Sequence, residues 1–175
     1  MGEEIYIGLG SNLGDREQQL NGAVEALGRI DGAAVVRRSS LYESAPIGPP
    51  HQPRFLNAVV QIECDLAPQQ LLGILKQIEV ELGRKPAPRW EARAIDLDIL
   101  LWGERVVADP NLQIPHLELH NRRFALEPLC ELKGETRHPV LGGSMLTLLR
   151  PLLSQDVVRI PSSDFWGPSA REVSG

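Results

Sequence analysis

The chain has 175 residues, 42% of them hydrophobic and 23% charged, with a formal net charge of −5. That length suits a single domain with its own core. No run is long enough to span a bilayer, and no basic-then-apolar leader opens the chain. The acidic balance, with basic residues gathered in one loop, argues against duplex nucleic acid as a partner. Cys64 and Cys130 lack C-x-x-C spacing and read as reduced core residues, so a cytoplasmic protein acting as a monomer is expected.

Ile5, Ile7 and Leu9 alternate with Tyr6, Gly8 and Gly10, which predicts a strand with one apolar face and one face nearly bare of side chains. Asp15 is placed to cap a helix carrying Leu20, Ala23, Val24, Leu27 and Ile30, which Asp31-Gly32 ends. Gly8-x-Gly10-x-x-x-Gly14 is one residue too long for a dinucleotide fingerprint. Residues 33–42 read as one strand, followed by a long loop over 43–54. In the next strand Leu56, Ala58, Val60, Ile62 and Cys64 share an apolar face, which turns Phe55 and Asn57 the other way. Pro68 opens a second helix that carries Leu71, Leu72, Ile74, Leu75, Ile78 and Leu82 inward and ends at Gly83. From the residues alone, Lys76 and Glu79 are solvated surface charges.

The loop that follows holds Arg84, Lys85, Arg89, Trp90 and Arg93, and leads into a short strand over 96–101. Alternation puts Asp96 and Asp98 on one face and Leu97, Ile99 and Leu101 on the other. Two adjacent carboxylates repel unless they share a proton or a cation. Carboxylates that hold Mg²⁺, beside arginines that hold phosphate oxygens, satisfy both halves of the pattern. After Gly103, residues 105–107 are expected to add an edge strand, and Asn121 to Leu126 form a loop and short helix. Residues 144–153 are amphipathic, and residues 154–175 read as a loosely attached tail docked by Phe165-Trp166.

The order strand, helix, strand, strand, helix, strand is the split βαβ, ferredoxin-like pattern of the α+β class. Both helices then cover one face of an antiparallel sheet, with an extra C-terminal helical segment after it. On the open face Phe55 and Asn57 lie on one side, Asp96 and Asp98 on the other, and Gly8 and Gly10 form the floor between. A flat ring is expected to stack near Phe55 and a metal-bound polyphosphate to sit at the two acids.

The chain resembles the 6-hydroxymethyl-7,8-dihydropterin pyrophosphokinases of folate biosynthesis over residues 5 to about 153. The likeness rests on Gly10-Ser11-Asn12-Leu13-Gly14-Asp15, Phe55-Leu56-Asn57-Ala58, Arg89-Trp90 with Arg93-x-x-Asp96-Leu97-Asp98-Ile99-Leu100, Ile114-Pro115-His116, and Arg122-x-Phe124-x-Leu126-x-Pro128-Leu129. It implies transfer of diphosphate from ATP to the hydroxymethyl group of the pterin, with AMP released and two Mg²⁺ ions held by Asp96 and Asp98. The implied catalytic residues are these two acids with Arg84, Arg93 and His116. Arg89, Trp90 and Arg122 join them at ATP, and Lys76, Glu79 and Ile99 lie near the adenosine. The pterin is implied to lie between Phe55 and Phe124, near Asp96, with Asn57, Ser44, Ala45, Pro46 and Ile47 at its edge and Trp90 closing over it. Glu91-Ala92 stand where the family usually has Gly followed by Pro or a small residue, and Leu117 where Pro or an aromatic is common. A different D-x-D transferase would need a sugar or template site, and a ligand-binding regulatory module has no need of paired acids beside four cations.

Overall fold

Residues Ile5 to Gly10, apolar alternating with mostly small ones, lie in β1 (Glu3–Ser11), an inner strand of the main sheet. The computed structural model describes residues 3–47, 51–85, 92–161 and 166–167. β1 lies between β4 (Phe55–Cys64) and β5 (Asp96–Trp102), antiparallel to both. β2 (Ala33–Arg38) and β3 (Leu41–Ser44) both pair with β4. The single strand expected over 33–42 is therefore two. Ser39 and Ser40 interrupt it, because the Ser39 hydroxyl accepts from Val59 N and the Ser40 N–H turns to the Glu131 carboxylate.

α1 (Arg16–Gly28) begins at Asp15, whose carboxylate accepts from Gln18 N, and α2 (Pro68–Glu81) begins with proline at its first position. Gly83, at φ +99°, turns the chain after α2, a conformation that disfavours a side chain. Both helices pack on one face of the sheet. Leu20, Leu27, Leu71 and Leu75 meet Ile5, Ile7, Val60, Ile62 and Ile99 there in the main core.

The opposite face is shared. α3 (Arg123–Lys133) and the short α4 (Met145–Leu149) cover one end of it, burying Leu126, Leu129 and Met145 against Tyr6, Val59, Leu100 and Leu101. The other end, with Gly8, Gly10, Asp96 and Asp98, lines a cavity. Leu101 sits on this side and not with Leu97 and Ile99. A register shift between β1 and β5 sets Tyr6 opposite Leu101 and Ile7 opposite Ile99, so Leu100 is the extra residue of a bulge and the alternation changes phase there. The edge strand expected at 105–107 is also different: β6 (Val107–Asp109) pairs with β7 (Leu112–Ile114) in a separate two-stranded sheet.

Residues 157–160 are built into the fold where residues 154–175 were expected to be loosely attached, and Trp166 docks as expected. β8 (Val157–Ile160) pairs with β3 and extends the main sheet. Trp166 is fully buried, donates from its indole to Ser39 O, and has the Arg38 guanidinium 5.0 Å above its ring. Phe165 lies outside the described residues. Periodicity misses β8 because four residues, of which Val158 and Arg159 are exposed, carry too little pattern. No helix among the described residues is long and apolar enough to cross a membrane.

Trp166→Ala removes a large buried side chain and should lower the unfolding free energy by about 3–5 kcal/mol. Val158→Ala, at a position 55% exposed, should stay within about 0.5 kcal/mol in the same urea titration. Equal effects would show that the indole does not belong to the core.

Candidate active site

Strand register assembles the site in two rows. Asn57, Gly10 and Asp96 are mutual partners across β4, β1 and β5, and Val59, Gly8 and Asp98 form the next row. With strands spaced about 4.8 Å apart, Asn57 and Asp96 stand roughly 10 Å from each other across a glycine floor. A Cβ added to Gly10 would meet Asn57 Oδ1 at 3.4 Å and Phe55 Cδ1 at 3.7 Å, so any side chain there would enter the space beside them. A Cβ on Gly8 would meet Leu100 at 3.2 Å, so this side chain, two residues beyond Asp98 on the same face, lies over the floor.

Two cavities open from this floor. The first, of about 180 Å³, is lined by Ser44, Ala45, Ile47, Gln52, Phe55 and Asn57 on one side and by Leu119, Arg122, Phe124 and Ala125 on the other. The second, of about 300 Å³, is lined by Leu72, Lys76, Glu79, Arg84, Ile99, Asn111, Leu112 and Gln113 among others. Arg93, Asp96, Asp98 and His116 line both.

The charges at this junction are interlocked. Arg93 Nη1 lies 3.1 Å and Arg84 Nη1 3.0 Å from Asp96 Oδ1, and Arg84 Nη1 is also 2.6 Å from Glu79 Oε2. Glu79 is buried, contrary to its expected place on the solvated surface. The reason is the position of β5 at the edge of the sheet: Leu97 N–H needs an acceptor on its outward side, and Glu79 Oε2 accepts it at 2.8 Å. Burial pushes the Glu79 carboxyl above the ordinary range, against the pull of Leu97 N–H and Arg84. Asp96 is raised by burial first and by the charge of Asp98 second, against the pull of Arg93 and Arg84. Asp98 is exposed and has no cationic or hydrogen-bonding partner among the described residues.

His116 is positioned from two directions. Its N–H donates to Leu100 O, and its Nδ1 accepts from Glu118 N, so the proton of the neutral ring sits on Nε2. In the first cavity Asn57 Nδ2 donates to Ser44 Oγ at 2.8 Å and more weakly to Tyr42 O. Both of its amide protons are thereby engaged within the wall, while Oδ1 lies toward Gly10.

Most of the predicted residues come together. Arg84, Arg93, Asp96, Asp98, His116, Lys76, Glu79 and Ile99 line the second cavity, and Ser44, Ala45, Ile47, Phe55, Asn57, Asp96 and Phe124 the first. Pro46 lines neither. Arg122, expected with the phosphates, lines the first cavity and not the second, with its guanidinium 5.8 Å from the Phe124 ring. Arg89, Trp90 and Glu91 lie outside the described residues. Sequence reading missed Gln52 and the part played by Asn12. The Asn12 side chain accepts from Arg93 N and donates to Pro53 O and to Gln52 Oε1, joining the segments that carry the two cavities. A buried asparagine just after a strand was the available signal.

The donor set suits a hard divalent cation. Asp96 and Asp98 offer oxygen ligands on one face, and the Asp96 carboxyl is raised first by burial and then by the charge of Asp98. Among the described residues no group of three His, Cys, Asp or Glu forms a complete cage. Mg²⁺ requires none, because it keeps water and phosphate oxygens in its shell.

The chain is similar to known proteins in both sequence and fold. Residues 6–134 match the family model described as 7,8-dihydro-6-hydroxymethylpterin-pyrophosphokinase. The chain is 44% identical over 130 residues to the 2-amino-4-hydroxy-6-hydroxymethyldihydropteridine pyrophosphokinase of Haemophilus influenzae, covering 74% of this chain and 81% of that one. It is 39% identical over 161 residues to the protein of the same name from Pseudomonas aeruginosa, covering 92% and 99%. Among solved structures it is similar in fold to Plasmodium falciparum HPPK-DHPS, with a TM-score of 0.68 and 15% identity. That likeness covers 88% of this chain and 45% of the longer one.

Folding raises the pKa of both Asp96 and Glu79, so their contribution to stability is full below the unfolded carboxylate range and is lost as pH rises through the folded values. Asp98→Asn removes one source of both shifts. In metal-free buffer it should raise the urea midpoint at neutral pH, with a gain that shrinks toward about pH 4 as the carboxyls protonate. The Asp96 carboxyl, followed by carbon-13 NMR, should titrate lower than in the parent. An unmoved Asp96 titration would show that the two acids do not interact.

Proposed function

The chain belongs to the 7,8-dihydro-6-hydroxymethylpterin-pyrophosphokinase family, and from that premise we propose that its joined cavities transfer diphosphate from ATP to 6-hydroxymethyl-7,8-dihydropterin. The hydroxymethyl oxygen attacks the β-phosphorus, the bond from that phosphorus to the oxygen bridging it to the α-phosphorus breaks, and AMP departs while the hydroxyl proton passes to solvent. What carries the proposal is the sharing of Arg93, Asp96, Asp98 and His116 by two cavities, one walled by aromatic rings and one by cations. Such a junction fits two substrates that must meet end to end.

Phe55 and Phe124 stack on the two faces of the pterin in the first cavity. With its amide protons engaged, Asn57 offers Oδ1 as acceptor to the donors on the pterin edge. In the second cavity Lys76 and Ile99 flank the nucleoside. Arg84 and Arg93 present guanidinium groups to the phosphates, as does His116 its Nε2 proton, and these neutralise charge that builds in transfer. Asp96 and Asp98 would hold two Mg²⁺ ions, which would supply positive charge to offset the polyphosphate and lower the cost of bringing an oxygen nucleophile to it. Asn12 holds Arg93 through its main chain and so keeps that cation over the floor.

The direct test is AMP release from Mg·ATP with and without the hydroxymethylpterin, and with the metal chelated. Release that needs both pterin and metal is expected; metal-independent or pterin-independent release would sink the proposal. Asp96→Ala and Asp98→Ala should each lower kcat by about three orders of magnitude, the several kcal/mol that metal charge supplies, with the circular dichroism spectrum kept. Phe55→Ala should raise the pterin dissociation constant about tenfold and leave that of ATP nearly unchanged. Equal losses for both ligands would contradict a stacking role.

A further inference from the structure

We propose that Gln155 and Asp156 form a clip that sets the two walls of the pterin cavity against each other. The inference rests on the assignment of the first cavity to the pterin. These residues lie beyond the stretch matched by the family model, residues 6–134, and neither lines the cavity.

Asp156 holds one wall. Its carbonyl accepts from Ala45 N at 3.2 Å, and its carboxylate accepts from both Nη1 and Nη2 of Arg54, each at 2.9 Å. Ala45 directly follows β3, and Arg54 directly precedes Phe55, so one residue binds the chain on either side of this wall. Gln155 holds the other wall. Its side-chain oxygen accepts from Arg123 N, its amide donates to Asn121 O, and its carbonyl accepts from Arg123 Nη1, each at 2.9 Å. Arg123 stands between Arg122 and Phe124, which line the cavity. Pairing of Val157 with Ser44 then anchors the pair of residues to the sheet.

Two consecutive residues are one peptide unit apart, so the distance between their partners is set by covalent geometry. A flat ligand between two rings gains stacking energy only if the gap is right before it arrives, and a wall that must be ordered on binding weakens affinity by that ordering. The ion pair cannot be explained as a general stabiliser. The Asp156 side chain is 57% exposed, and an exposed pair contributes little to global stability. Paired, bidentate contacts of this kind fix the direction of both partners as well as adding energy. The Arg54 guanidinium holds the Asp156 carboxyl below the ordinary carboxylate range, so the contact persists at neutral pH.

The test uses the full chain with Gln155→Ala, Asp156→Ala, Arg54→Ala and the double variant Asp156→Ala/Arg54→Ala, titrated calorimetrically with the hydroxymethylpterin and separately with Mg·ATP. Each single variant should weaken pterin binding by about 3- to 5-fold, the size of one exposed contact. The double variant should be no weaker than its poorer parent, because both changes break the same contact. ATP affinity should stay within about twofold, and the urea midpoint, measured on every variant, should hardly move. Unchanged pterin affinity in Gln155→Ala and Asp156→Ala overturns the clip. So does an equal loss for ATP, or a double variant whose loss is the product of the singles. A parent chain that binds ATP and no pterin would instead overturn the cavity assignment beneath it.

Discussion

Two carboxylates on one strand face, a residue apart in sequence, are the constraint around which the rest of the site is arranged. Asp96 and Asp98 repel, and each neighbouring choice answers that repulsion. Arg93 and Arg84 sit 3.1 and 3.0 Å from Asp96, while Asp98 is left toward the cavities. Glu79 adds a third negative group under the same arginine because the edge of β5 needs an acceptor. The sum is a junction in which two arginines and three carboxylates interlock at the meeting point of the two cavities.

The sheet sets that local chemistry at the junction of two cavities. Strand pairing alone places Asn57, Gly10 and Asp96 in one row. The Asn57 side and the Asp96 side are thus fixed by neighbouring strands of one sheet, and Gly10 keeps the space between them open. The bulge in β5 contributes in a different way, by turning Leu101 to the face that already carries Leu100, where both pack with Tyr6 and Val59. The walls above are held by polar contacts from Asn12, Gln155 and Asp156. That division suits a site in which the reacting centre must be rigid and the covering chain must admit substrates.

The second face of the sheet shows how a ferredoxin-like core can carry both a site and a stable cover. α3 and α4 bury an apolar cluster at one end, with Leu126 and Leu129 against Tyr6 and Val59, and leave the glycine end to the cavity. The chain then returns through β8 beside β3 and ends its described course at Trp166 and Gly167, within reach of Ser39. The C-terminal stretch is thereby part of the wall-bearing edge of the sheet.

Much of this was legible in the residues alone: the six core elements, the caps at Asp15 and Pro68, the facing of Asp96 and Asp98, and the bare strip at Gly8 and Gly10. Those features follow from local periodicity and from side-chain chemistry, which adjacent residues encode directly. The break at Ser39-Ser40, the phase change at Leu100, the burial of Glu79 and the return of β8 were not legible. Each depends on a partner far along the chain, Glu131, Tyr6, Leu97 and Leu41 among them. The chemistry of the site was written in its motifs, while the register that brings those motifs together, and the contacts that hold the walls, arose only when distant hydrogen-bonding groups had to be satisfied at once.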